Sequence, residues 1–295
     1  MSSDSSVSVR FYSPPVDLRG YFTTFYVTDI DPGPAGVLTD CLHPEWAGLR
    51  FFRAAGPTAW TDDGQEISGA QFQASGPTSH PIHFTMTKNR LWGIGLLPLG
   101  WARYITVPAT EMANVVCDGH TNPAFSPFSP LAKSLFGDHT DEAAELNRII
   151  TFFRRFKAGP LLDEKRIVAI HSALVDPNIV SVSELVDRVA ASQRTVERLC
   201  QRHFGFSPKL LLRRQRFMRS LAQFILDPSL KWIGAMDSSY HDQAQFVRDF
   251  HEFMGKTPRD YANLPHPVLD RFLHERMKAH GAAVQTLDKP DVAAS

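Results

Sequence analysis

The spacing of apolar residues changes character once along this chain, near Pro130. Before it, apolar residues come in short runs rich in β-branched and aromatic side chains, at 9–12, 21–27, 49–52, 70–74, 82–86 and 91–97. Clusters such as Asp31-Pro-Gly-Pro, Asp62-Asp-Gly, Ser75-Gly-Pro and Lys88-Asn separate them. Many short strands at that spacing predict a sandwich or small barrel over residues 7–125. Gly93 and Gly95 mark a bulge or a close backbone approach within the last run, and Pro108 starts a short helix.

After Pro130 the period lengthens to that of helices. Residues 131–136 form a short helix and 140–157 a longer one. The longer helix has Asp141 and Glu142 in its first turn and Arg154, Arg155 and Lys157 in its last, matching the helix dipole. Its stripe of Leu146, Ile149, Ile150, Phe153 and Phe156 either packs on the strands or pairs two copies of the chain. Residues 126–160 thus form a helical connector and 161–265 a second, all-helical domain. Residues 266–295 add one more helix at 268–280, followed by a disordered tail. The expected architecture is α+β with two domains.

Within the helical domain, residues 182–205 and 232–255 follow one plan. A short apolar helix comes first: Val182, Leu185, Val186 and Val189 in one unit, Trp232, Ile233 and Met236 in the other. A polar turn follows, and Ser192 or Asp242 caps the next helix. Val196, Leu199 and Phe204 fall on the inner side of the first of these second helices, and Phe246, Phe250 and Phe253 on that of the other. Gln193, Arg194, Glu197 and Arg198 fall on the outer side of the first; Gln243, Gln245, Arg248 and Asp249 lie on or beside the outer side of the other, with His241 nearby. Arg and Gln at a helix start suit the edges of guanine and adenine in the major groove of double-stranded DNA. A linking helix at 207–227 spans roughly 30 Å, close to the ~34 Å between successive major grooves on one DNA face. It carries Lys209, Arg213, Arg214, Arg216 and Arg219, with no acid before Asp227. Ser192, Lys209, Arg213, Asp242 and Lys256 are the expected phosphate contacts.

Formal net charge is zero, so the whole chain gives no hint of nucleic acid, but residues 193–219 hold eight basic residues against Glu197 alone. Three scattered cysteines, Cys41, Cys117 and Cys200, fit a reducing cytoplasm better than a disulfide scaffold. There is no run of eighteen apolar residues and hence no expected membrane span.

The helical stretch resembles the DNA-binding domain of AraC/XylS-type transcription regulators. The residues that carry the likeness are Ser192-Gln-Arg-Thr-Val-Glu-Arg-Leu, His203-Phe-Gly-Phe-Ser-Pro, Tyr240-His-Asp-Gln-Ala-Gln-Phe-Val-Arg-Asp-Phe and Gly255-Lys-Thr-Pro-Arg-Asp-Tyr. Ser239 departs from the family, which usually has Gly there, and puts the fine geometry of that turn in question. The resemblance implies a cupin-like N-terminal barrel that senses a small-molecule effector or pairs two chains. It also implies a homodimer, an activator's contact with RNA polymerase, and no cofactor.

Two other chemistries compete. Trp46, Phe52, Trp60, His83 and Trp92 are candidates for an effector pocket. His43, Glu45, His80 and His83 are the candidates for a metal in the rival reading, a cupin-type enzyme whose helices only bind protein. The His80-Pro-Ile-His83 spacing is poor for that purpose, and a metal is not expected.

Overall fold

A computed structural model describes residues 5–290. The early runs form two antiparallel sheets. One has six strands in the order β1 (Ser6–Tyr12), β2 (Phe22–Asp31), β9 (Asn89–Leu96), β4 (Gly48–Phe52), β7 (Phe72–Ser75) and β10 (Val116–Asp118). The other has four, in the order β3 (Leu38–Leu42), β8 (Ile82–Met86), β5 (Gly56–Trp60) and β6 (Glu66–Gly69).

The larger sheet is buried on both faces, and the two-residue period of a strand assigns each side chain to one of two cores. Tyr26, Ile30, Phe52 and Leu91 join Leu38, Phe84 and Met86 of the smaller sheet. Phe25, Val27, Leu49, Phe51, Trp92 and Ile94 join a second core, closed by α1 (Pro98–Tyr104), α2 (Ser129–Ser134) and α3 (Glu142–Arg155). Gly93 is a close approach: a Cβ there would stand 1.9 Å from the Tyr26 ring.

The stripe of α3 is used inside the chain. Ile149 and Phe153 are buried in the second core, with Leu146, Ile150 and Phe156 against it. Asp141 caps the helix by accepting from the Ala144 N–H. The carboxylate of Glu145 is fully buried and accepts from Trp92 Nε1 at 2.7 Å and Arg90 Nη2 at 2.9 Å. Arg90 also grips Asp29 and Glu142, so one ionic network ties α3 to β2 and β9.

The helical region contains α4 (Glu164–Val175), α5 (Val182–Val189), α6 (Gln193–Phe204), α7 (Pro208–Leu226), α8 (Lys231–Ala235), α9 (Gln243–Met254), α10 (Pro258–Ala262) and α11 (Leu269–His280). Helix α7 belongs to two cores. Leu211 and Leu212 pack with α4–α6, whereas Phe217, Met218, Leu221 and Ile225 pack with α9 and α11.

The end of the chain corrects the expected tail. Gly281, at φ +72°, turns the backbone after α11. Ala283 and Val284 are buried. Gln215 Nε2 donates to the Thr286 carbonyl at 2.5 Å, and Gln285 Nε2 donates to Glu45 at 2.6 Å. Residues 281–290 are therefore a packed strap, because they offer apolar and amide groups to buried partners. The rest of the expected tail, residues 291–295, lies outside the described residues, as do residues 1–4.

Candidate nucleic-acid interface

Both units form, and local chemistry explains their starts. Helix α5 opens with a capping box: Ser181 accepts from Glu184 N–H, and Glu184 reaches back to the Ser181 N–H. Ala190 then takes the left-handed conformation at φ 51°, and Ser192 caps α6 by accepting from Thr195 N–H. In the second unit Asp242 caps α9 by accepting from Gln245 N–H at 2.6 Å. The turn before it differs. Ser239 keeps a negative φ, and its N–H and hydroxyl both donate to Asp237. The Gly-to-Ser departure is thus absorbed without a left-handed residue.

Gln193, Arg194 and Arg198 are exposed on α6, with Glu197 half-buried beside them. Arg198 has only a loose ionic neighbour, Asp163 at 3.8 Å. Gln243 and Arg248 are exposed on α9, as is His241 before it. Helix α7, with 19 residues, is about 28 Å long at 1.5 Å per residue.

Several expected roles need correction. Gln245 folds back over the turn, where its side-chain oxygen accepts from the His241 N–H at 3.2 Å. Asp249 is not on the outer face. It is 2% exposed and receives Arg213, Arg216 and the Tyr240 hydroxyl. Its position, three after Phe246 and four before Phe253, puts it on the inner side, so helical spacing carried the signal. Ile233, placed on the inner side by its spacing, is instead 69% exposed on the five-residue α8.

The basic face of α7 is also narrower than its composition suggests. Arg213 bridges Asp249 at 2.6 Å and Glu252 at 2.5 Å, Arg216 holds Asp249, and Arg219 holds Asp237. Arg213 is therefore engaged with carboxylates of its own chain. Arg214 points the other way and is fully buried, 4.2 Å over the Trp46 ring, donating to the Thr78 carbonyl. Burial pushes its pKa down to about 9. Lys209 remains exposed. Lys256 is half-buried, and Gly255 before it lies against the strand region, where a Cβ on it would meet the Asp62 carboxylate at 2.9 Å. The acceptors of Ser192 and Asp242 serve their own helices, and the carboxylate of Asp242 has no proton to give a phosphate.

The effector candidates scatter, with strand parity turning Trp60, His83 and Trp92 away from the space between the sheets. A cavity of about 60 Å³ lies between the sheets, lined by Ile30, Phe52, Phe84, Met86 and Leu91, among others. Of the five candidates only Phe52 borders it. Trp92 points to the opposite face of its sheet, where it binds Glu145. Trp46 packs edge-on against His171 and Phe204 of the helical region. Trp60 and His83 stack on each other, and His83 lies 3.2 Å from Asp62.

The four metal candidates do not converge either. His43 bonds the Tyr261 hydroxyl, Glu45 takes Arg50 and Ser75, and His80 meets Ser79. Among the described residues, the side chains near enough to share an ion are Asp40, Cys41 and His266. Asp40, however, already accepts from the Cys41, Val268 and Leu269 N–H groups and meets His266 Nδ1. Strand β3 thereby caps α11 from outside, which satisfies that carboxylate without a metal.

Residues 185–263 match the family described as a helix-turn-helix domain. No curated protein matches the chain. Solved structures with a similar outline include ToxT from Vibrio cholerae, 10% identical over 88% of this chain and 98% of that one, at a TM-score of 0.42. ToxT bound to (E)-4-(8-methylnaphthalen-1-yl)but-3-enoic acid is 10% identical, with the same coverage of both chains and a TM-score of 0.41. The AraC-like transcriptional activator CuxR is 13% identical over 74% of this chain and 87% of that one, at a TM-score of 0.23. Among the described residues no helix is long and apolar enough to cross a membrane. Residues 185–263 belong to a helix-turn-helix domain, a fold that presents its second helix to DNA.

Proposed function

We propose that the chain reads double-stranded DNA with α6 in one major groove and α9 in the next. The carrying observation is that Arg194 and Arg198 on one helix, and Gln243 and Arg248 on the other, are exposed at the ends of one rigid helix of matching length. Lys209 supplies phosphate contact, with the base readers narrowed to Gln193, Arg194, Glu197, Arg198, His241, Gln243 and Arg248. Helices 161–265 act as the reading domain and the strands as the regulatory one. The scattering of His43, Glu45, His80 and His83 speaks against the metal-enzyme reading. Chromosomal DNA as partner puts its work in the cytoplasm. A homodimer would read two such sites, and exposed Ile233 beside the second unit offers RNA polymerase an apolar contact. Control by a small-molecule effector in the cavity between the sheets completes the proposal.

The test uses an operator selected from random duplexes. Arg198→Ala should cost about 1–3 kcal/mol on that operator and relax one base position. Lys209→Ala should weaken all duplexes alike and reduce the salt slope by about one. Identical behaviour of the two variants on operator and random DNA would refute the assignment.

A further inference from the structure

The cavity between the sheets is closed by a helix that follows the DNA-reading units. Helix α11 has two working faces. Val268 and Phe272 enter the core between the sheets, with the Phe272 ring 4.8 Å from Tyr26 and 4.9 Å from Phe11. Leu269 and Leu273 lie in the core of the second unit, with Phe217, Leu221 and Phe250. Its start is capped by Asp40 from β3, and His266 stacks on Tyr261 of α10. One helix thus plugs the cavity and carries the second unit.

With the plug in place, the cavity measures about 60 Å³. A monocyclic ring such as benzene is held by an apolar cavity of about 150 Å³. The space is therefore too small for an effector until Phe272 leaves it. The lining also says what could enter. It is aliphatic and aromatic apart from Thr28, Gln73, Arg50, the Cys41 thiol and the hydroxyl of Tyr26. Gln73 donates to the Pro57 carbonyl. The charge of Arg50 is matched by Glu45, whose two oxygens lie 2.6 and 2.7 Å from its Nη2. Arg50 Nε–H, though, is buried without a close acceptor, and the Tyr26 hydroxyl beside the guanidinium leaves it incompletely bonded. A carboxylate would find no free counter-charge there, whereas one neutral acceptor would find a donor.

We propose that this cavity takes a compact, uncharged, mostly apolar molecule with one hydrogen-bond acceptor, and that the molecule enters by displacing Phe272. Ligand and α11 exclude one another, so binding loosens the second DNA-reading unit from the strands while the first unit stays attached. This deepens the effector reading above and rests on it.

The full chain is titrated with acetophenone, toluene and benzoate, and hydrogen exchange is followed in peptides covering 266–280. Acetophenone should bind more tightly than toluene and benzoate, and saturation should speed exchange in 266–280 but not in α4–α6. Phe272→Ala, which removes the competing ring, should bind acetophenone about tenfold more tightly, since its competent state is more populated. If that variant does not fold, Phe272→Leu and the wild-type exchange pattern still decide. Acetophenone binding with 266–280 as protected as before would overturn the plug and leave the effector reading standing. Equal binding of benzoate would overturn the uncharged class. No binding of any probe to wild type and variants would overturn the site itself, and the effector reading with it.

Discussion

The two DNA-reading units share a plan but are held in different ways. The first is fastened to the strand region by packing. Trp46, Leu97 and Leu99 from that region lie in one core with Ile170, Leu185, Leu199 and Phe204, and Arg214 lies over Trp46. Gly205, which closes α6 at φ +85°, leaves no spare room: a Cβ there would meet Pro77 at 3.0 Å. The second unit packs on α7 and α11 in a core of its own and adds ion pairs within the helices, Asp249 with Arg213 and Arg216 and Asp237 with Arg219. Packing of the first kind is rigid and hard to exchange, whereas a capped helix resting on a cavity has a second place to go. The asymmetry suggests a division of labour, with the first unit as anchor and the second as the part whose position can be regulated.

The largest effects should come from removing each fastening. Trp46→Ala deletes a fully buried indole between the two regions and should cost about 3–5 kcal/mol. Urea melts measure that loss, and faster hydrogen exchange should appear in α4–α6. Asp249→Ala leaves Arg216 without its acid and Arg213 with Glu252 alone, and should cost about 3 kcal/mol. Its faster exchange should be confined to α8–α10. If either substitution loosened both units equally, the two fastenings would not be separate.

Most of this arrangement could be read from the residues, and what could not has a common cause. The strand runs, the two caps at Ser192 and Asp242, and the length of α7 follow from local spacing, which one stretch of chain determines alone. Helical parity also contained the inward position of Asp249, had the phenylalanines been weighed above its charge. The pairings that cross the chain are different. That Arg214 meets Trp46, or that Asp40 caps a helix more than two hundred residues later, depends on how the regions dock. The aromatic residues chosen for a pocket failed similarly. Trp92 and Leu91 are neighbours in sequence, yet only Leu91 borders the cavity, because a strand sends successive side chains to opposite faces.

On DNA, the anchor and the regulated unit should be distinguishable by base. Arg198→Ala and Arg248→Ala should each cost about 1–3 kcal/mol on a selected operator. The positions they relax should lie about one helical turn apart. Footprinting of the two variants gives the distance directly, and overlapping positions would mean that the units do not occupy adjacent grooves.

Acid should act on both units. Burial depresses the pKa of His171 to about 3 and that of His203 to about 4; both lie in or beside the first unit's core. Burial, with His266 adding to it, does the same to His43, at about 3. A histidine held neutral in the fold binds its proton more readily when unfolded. Its contribution is therefore complete above the ordinary pKa of 6.5 and is lost as pH falls toward 3 or 4. Each such group gives a slope of up to about 1.4 kcal/mol per pH unit. Urea midpoints should fall between pH 7 and pH 5, and His171→Leu should flatten that fall. An unchanged slope in the variant would place the acid sensitivity elsewhere.

The smallest difference between the units lies in their turns and should give effects of opposite sign. Ala190 turns the first unit at φ 51°, where a Cβ is crowded by its own carbonyl. Ala190→Gly relieves that crowding but frees the unfolded chain, so the net gain should be about 0.5 kcal/mol. Ser239 occupies the corresponding turn of the second unit with a negative φ, and its hydroxyl donates to Asp237. Glycine there has no strain to relieve and loses that bond, so Ser239→Gly should cost about 1 kcal/mol. Asp237 also receives Arg219, and the loss should therefore be felt along α7. Thermal melts of the two variants resolve the signs. A gain from glycine at both positions would mean that the second turn stores the same strain as the first, and that its side-chain bonds add nothing.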